Sequence, residues 1–99
     1  GQNISPGEIE EVLLRHPAVA DTAAIGLPDR EWGERIVVAV VVRGDVDISP
    51  DGLQDLVRHE LRSNRTPDLV EFVDELPYND TGKLLRRVLR ERLAHLGDA

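Results

Sequence analysis

The stretch Ile36-Val37-Val38-Ala39-Val40-Val41-Val42 constrains the fold more than any other part of the chain. A strand that faces water on one side alternates apolar with polar residues, whereas an almost unbroken β-branched run belongs to a strand covered on both faces. Such a strand is expected at the centre of a sheet. The chain has 99 residues, and Trp32, Phe72 and Tyr78 are its aromatic residues. The core must therefore be built from Val, Leu, Ile and Ala. That length makes one small domain with a single core, and it falls short of what an enzyme needs to enclose two substrates.

The flanking elements follow from local signals. Ser5, Pro6 and Glu8 form a helix start, a capping box with proline at the first helical position, where its missing N–H costs nothing. Ile4 and Ile9 stand at staple positions, and Ile9, Val12 and Leu13 make the apolar stripe. Pro17 stops this helix near His16, which is read as a helix-end histidine. Val19 to Ile25 reads as a strand that Gly26-Leu27-Pro28-Asp29 breaks. Trp32-Gly33 lies on the loop to the central strand, and packing over the sheet edge is the plainest reading of Trp32. Ser49 as N-cap, Pro50 and Asp51 open a second helix, with Leu53, Leu56, Val57 and Leu61 facing the core and His59 on the surface. It ends before Thr66-Pro67. Arg58 and Arg65 read as exposed, solvated cations on or just after it. Leu69, Val70, Phe72 and Val73 form a short apolar run, and Leu85, Val88, Leu89 and Leu93 a last helical pattern. The expected fold class is α+β, a small three-stranded core sheet packed by helices. Whether the last strand runs parallel to its neighbour is left open.

Charge and composition exclude several functions. The formal net charge of -7 argues against general nucleic-acid binding, although the charge is unevenly placed. Lys83, Arg86, Arg87, Arg90 and Arg92 cluster near the end against Glu91, a basic stripe on an acidic domain that suits phosphates, an acidic partner face or simple solvation. Asp47, Ser49, Asp51 and Gly52 imitate the start of a calcium loop, but Arg58 stands where the closing glutamate belongs. No metal site is expected. The chain contains no cysteine, and hence no disulfide or thiol chemistry, and it has no membrane-length apolar run, so a cytoplasmic protein is expected. Because it begins with glycine, it is expected to be a piece of something longer.

Pro77-Tyr78-Asn79-Asp80-Thr81-Gly82-Lys83 is a turn-rich stretch between the short apolar run and the last helical pattern. A phosphate-binding P-loop is rejected, because Pro77 and Leu84 stand where that motif needs glycine and Ser or Thr. A lysine after a glycine at a helix start is a point charge with three donors, suited to a phosphate or carboxylate oxygen. An ordinary solvated lysine is the competing reading.

Resemblance adds to this. Val73-Asp74-Glu75-Leu76-Pro77, then Thr81-Gly82-Lys83 and Leu85-Arg86-Arg87, resembles the last core motif of the adenylate-forming superfamily, particularly acyl-CoA synthetases. Gly1-Gln2-Asn3-Ile4-Ser5-Pro6 with Glu8-Ile9-Glu10 is similar to the motif that opens their small C-terminal domain after the interdomain hinge. His16-Pro17-Ala18-Val19, Gly26-Leu27-Pro28-Asp29 and Trp32-Gly33-Glu34 follow in the family's order. The likeness covers nearly the whole chain.

It implies that residues 1–99 are a single C-terminal lid domain, whose partner is a large N-terminal domain of the same chain that binds ATP and the acid. The implied activity has two steps. A carboxylate attacks the α-phosphorus of ATP, supplied with Mg2+, to give an acyl adenylate and pyrophosphate; the CoA thiol then displaces AMP. Lys83, on a loop with Thr81 and Gly82, clamps carboxylate and phosphate oxygens in the first step. The domain then rotates, withdraws Lys83 and brings Gly1 and Gln2 to the pantetheine channel, while Trp32, Arg58 and Arg65 are the implied CoA contacts. Asn64 departs from the aromatic residue often found at its place. The isolated piece is expected to be inactive and to hold no cofactor. Adenylation domains that load carrier proteins, luciferase-like oxidases and a non-catalytic module gripping an acidic partner with its basic helix are the rival readings.

Overall fold

The computed structural model describes residues 4–98; Gly1 and Gln2, expected at the pantetheine channel, lie outside the described residues. The elements are α1 (Pro6–Leu14), β1 (Val19–Asp29), β2 (Gly33–Val42), α2 (Pro50–Glu60), β3 (Leu69–Phe72) and α3 (Arg86–Arg92), with a 3-10 turn at Ala94–Leu96. The class is α+β, as expected. The sheet order is β1-β2-β3, with β1 antiparallel and β3 parallel to β2. A parallel partner needs a crossover, and α2 supplies it.

The apolar run of β2 divides between two cores. Val38 and Val40 face Ile9, Val12 and Leu13 of α1 and Leu53 and Val57 of α2. Val37 and Ala39 face the other way, onto Leu76 and onto Leu89 and Leu93 at α3. This is the two-sided burial that an unalternating strand demands. An irregularity between Val19 and Asp21 on β1 lets Val19 share a face with Ala24 despite their odd spacing.

Both helix starts agree with the sequence. Ser5 Oγ accepts from the Glu8 N–H while Glu8 Oε2 accepts from the Ser5 N–H at 2.8 Å, closing the capping box. Ser49 Oγ accepts from the Gly52 N–H at 2.9 Å.

The first strand differs from expectation. Gly26-Leu27-Pro28-Asp29 does not break it: the pairing continues through Pro28 opposite Glu34 to Asp29 opposite Gly33. The reason is position. β1 is an edge strand, and Pro28 shares the parity of Ala24, whose N–H and C=O point away from β2. A missing N–H there removes no ladder bond. Gly26 leaves the room across which the Glu34 side chain lies. Outward groups of this edge are met by other parts of the chain. Ala24 N–H donates to Glu10 Oε2 at 2.9 Å, Ala24 O accepts from Arg86 at 2.8 Å, and Pro28 O accepts from the Asp98 N–H at 2.8 Å.

Candidate functional site

The structure brings the sequence-derived site residues together in two places, at opposite ends of β1.

The first is the Lys83 loop. Leu76 and Pro77 are buried and pin its start. Tyr78 and Leu84 then pair as an isolated antiparallel bridge, so the segment between them closes as a small hairpin. The Leu85 N–H donates to Pro77 O at 2.8 Å, the Asn79 N–H to Lys83 O at 2.9 Å and the Gly82 N–H to Asn79 O at 3.0 Å. Gly82 has φ +83°, a left-handed conformation that glycine adopts without steric cost. Asn79 Oδ1 accepts from the Thr81 N–H at 3.0 Å, the Thr81 hydroxyl at 2.8 Å and the Lys83 N–H at 2.9 Å. Lys83 itself is exposed and, among the described residues, makes no ion pair.

Lys83 is therefore not at a helix start as the sequence suggested. The helix begins at Arg86, because Leu85 is held outside helical geometry by its bond to Pro77. The basic stripe is also narrower than expected. Arg87, Arg90 and Arg92 are exposed, but Arg86 turns inward to Glu10 Oε2 at 3.1 Å and to Ala24 O. A second tie comes from Tyr78, whose hydroxyl donates to the Asp21 carboxylate. That bond, with partial burial and the negative charge of Asp21, pushes the phenol up to about 12. These two ties fasten the loop to the start of β1 and to α1. Neither Asn79 nor Tyr78 was marked by the sequence reading, although an asparagine opening a turn is a known signal.

The second place is the corner between β1 and β2. Asp29 Oδ1 accepts from the N–H groups of Glu31 at 2.8 Å and Trp32 at 2.9 Å, while its other oxygen meets Arg35 Nε at 3.1 Å. The Trp32 N–H foremost, with Arg35 and the Glu31 N–H, holds the Asp29 carboxyl below the usual range despite the opposing effect of burial. Trp32 does not pack over the sheet; 61% of it is exposed. Its ring is backed by Arg65, whose guanidinium carbon lies 4.8 Å from the ring centroid.

Arg65 and Arg58 are half-buried, not the solvated cations the sequence suggested. The reason is the supply of backbone carbonyls around them. Arg65 donates to Glu34 O at 2.7 Å, and its Nε lies 3.0 Å from Asp68 Oδ1, off the axis of a hydrogen bond. Arg58 donates to Arg65 O at 2.8 Å and Pro67 O at 3.1 Å. Asp68 also accepts from the Ile36 N–H at 2.7 Å, which sews this loop to β2. Trp32, Arg65 and Arg58 thus form one continuous structure, with one face of the indole turned to Arg65.

At about 3.3 Å per residue, the stretch of β1 from Asp21 to Asp29 spans roughly 26 Å. The lysine loop is tied at one end and the tryptophan corner stands at the other. Among the described residues no cluster of His, Cys, Asp or Glu could hold a metal ion, and no helix is long and apolar enough to cross a membrane.

Comparison with known proteins gives the family. The model of the AMP-binding enzyme C-terminal domain matches residues 8–83. A fatty acid–[acyl-carrier-protein] ligase of Streptomyces coeruleorubidus is 42% identical over 93% of this chain and 18% of its own length. A long-chain fatty acid–CoA ligase of Escherichia coli is 42% identical over 92% of this chain and 16% of its own length. Among solved structures, ATP-bound MatB from Rhodopseudomonas palustris superposes with a TM-score of 0.89 at 32% identity, covering 97% of this chain and 19% of that one. A Mycobacterium tuberculosis fatty acyl CoA synthetase gives 0.83 at 36% identity over 98% of this chain and 19% of that one. The chain thus spans less than a fifth of the length of the relatives it matches. The match across most of its residues, and a fold shared with the small C-terminal part of these enzymes, make the chain a member of the AMP-binding enzyme C-terminal domain family of the adenylate-forming superfamily.

Proposed function

We propose that this chain is the mobile C-terminal lid of an acyl-CoA synthetase, which converts an acid, ATP and CoA into acyl-CoA, AMP and pyrophosphate. The observation that carries the reading is the separation of two exposed functional groups at opposite ends of one strand. Groups so far apart on a small domain suit two half-reactions served from two poses, the lysine at the phosphate in one and the indole at the distant nucleotide end of CoA in the other.

In the first pose the Lys83 loop faces the large domain. The acid's carboxylate oxygen attacks the α-phosphorus of ATP, bound as its Mg2+ complex, and the bond to pyrophosphate breaks. Negative charge gathers between carboxylate and phosphate oxygens, and the Lys83 ammonium, presented by Thr81 and Gly82, holds them together. In the second pose the domain has turned. The CoA thiol attacks the acyl carbonyl, AMP leaves, and the indole of Trp32 offers its outer face to the CoA adenine. Arg65, held by Asp68 and Glu34 O, supports that ring, with Arg58 holding the Arg65 backbone. Gly1 and Gln2 line the pantetheine arm in this reading.

A carrier protein in place of CoA is the second reading, favoured by the relative from Streptomyces coeruleorubidus named for that acceptor. Under it the thiol is delivered by a protein, and Trp32 has no adenine to stack on.

The test is made in the full-length parent enzyme. Lys83→Ala is expected to collapse ATP-pyrophosphate exchange while transfer from a preformed acyl adenylate continues. Survival of exchange in that variant refutes the lysine clamp and favours a non-catalytic binding module.

A further inference from the structure

We propose that Asn79 is the positioning residue of the adenylation loop, setting where Lys83 leaves the backbone; this rests on the reading of Lys83 given above. Residues 79 to 83 are all exposed, so apolar packing does not hold them. Polar bonds must do so, and they converge on one residue. The Asn79 amide oxygen takes the Thr81 N–H, the Thr81 hydroxyl and the Lys83 N–H. Its own N–H goes to Lys83 O, and its carbonyl receives the Gly82 N–H. Asn79 thus binds Lys83 through both backbone polar groups of the lysine, one by its side chain and one by its main chain.

The side-chain bond is the informative one. A main-chain hairpin closes with any residue but proline at position 79, given Gly82 in its left-handed conformation and the Tyr78–Leu84 bridge. What the amide oxygen adds is an acceptor inside the turn, fixing the peptide planes that carry the Thr81 and Lys83 N–H groups. A lysine ammonium rides on a long flexible stem, so the direction of its backbone decides how much of its reach is spent arriving at the phosphate. A misplacement of about 1 Å can cost on the order of 10²-fold in rate. Because charge builds at the transition state, the loss falls on kcat of adenylation more than on the KM for ATP.

The experiment compares Asn79→Ala and Asn79→Asp in the full-length parent by ATP-pyrophosphate exchange, by transfer from preformed acyl adenylate and by hydrogen exchange of the Thr81 and Lys83 amides. Aspartate keeps an oxygen where the three donors converge; alanine does not. Expected are a kcat for exchange lower by about 10- to 100-fold in Asn79→Ala, with transfer unchanged and both amides exchanging faster. Asn79→Asp should keep most of the rate and the amide protection. Exchange kinetics in Asn79→Ala within about twofold of the parent, or an Asn79→Asp variant as impaired as Asn79→Ala, overturns the proposal. If Lys83→Ala leaves exchange intact, the lysine reading fails; if Lys83→Ala collapses exchange while Asn79→Ala does not, this inference alone fails.

Discussion

The Lys83 loop and the Trp32 corner are both exposed turns, yet they are held by different means. The loop is closed from within, by Asn79, and fastened by two side-chain ties to β1 and α1, from Tyr78 and Arg86. The corner is held from several directions. Asp29 fixes the turn, Arg35 reaches Leu96 O, Arg30 pairs with Asp98, and Arg65 joins Glu34 to the α2–β3 connection. The difference matches what each presents. The lysine stem leaves from one backbone point, whereas the indole, 61% exposed and backed by Arg65, takes its position from the whole corner.

The largest expected effect separates the two regions by half-reaction. Lys83→Ala should lower pyrophosphate exchange by about 10²- to 10³-fold, as for loss of one charge-stabilising donor, and leave adenylate transfer near its parent rate. An equal fall in both would erase the distinction. Next is stability. Leu89 is fully buried beneath the lysine side of the sheet, and Leu89→Ala should cost about 3 kcal/mol in urea unfolding. Trp32 fluorescence followed in the same experiment should move with the global transition, since the two cores share β2; a separate earlier transition would mean that the ends unfold independently.

Trp32→Ala should raise the KM for CoA by about 10-fold, with a ceiling near 100-fold set by base-aromatic stacking of about 1–3 kcal/mol. Pyrophosphate exchange should be unchanged. Full acyl transfer to CoA by that variant, at the parent KM, would remove Trp32 from the CoA contacts, whereas a parent enzyme that transfers to a carrier protein and not to CoA would favour the carrier-protein reading. The smallest effects are in pH. Asp29 has a depressed pKa, so its contribution to stability is present above the unfolded carboxylate value of about 3.9 and disappears as pH falls through the native value. Asp29→Asn should flatten the acid limb of a stability-pH curve. Tyr78 is raised to about 12, so its contribution is present below the unfolded value of about 10 and is lost as pH rises toward 12. Tyr78→Phe should flatten that alkaline limb.

Local signals made much of the fold legible. The capping box at Ser5 and Glu8 and the Ser49-Pro50 start appear as read, and the run from Ile36 to Val42 is the central strand with both faces covered. Errors arose where a distant partner overrode a local signal. Pro28 punctuates a sequence, but at an outward edge position it leaves a strand intact. Arg58 and Arg65 look like surface cations until carbonyls from other segments are seen to receive them. Likewise Arg86 belongs by sequence to a basic helix face, and only the arrival of Glu10 and Ala24 from the other end of the chain turns it inward. Motif resemblance marked Lys83 and Trp32, whereas the residues that hold them were hidden because their role is a matter of geometry.

The occupied outer edge of β1 bears on how the domain meets other chains. Unpaired N–H and C=O groups along an exposed strand are a template on which another chain can add, the first step toward aggregation. If the domain is the swinging lid proposed above, this flank is exposed at every turnover. With Glu10 and Arg86 lodged at Ala24, and Asp98 at Pro28, that flank offers an incoming strand broken rows of donors and acceptors. The flank is thereby guarded against strand addition by its neighbours.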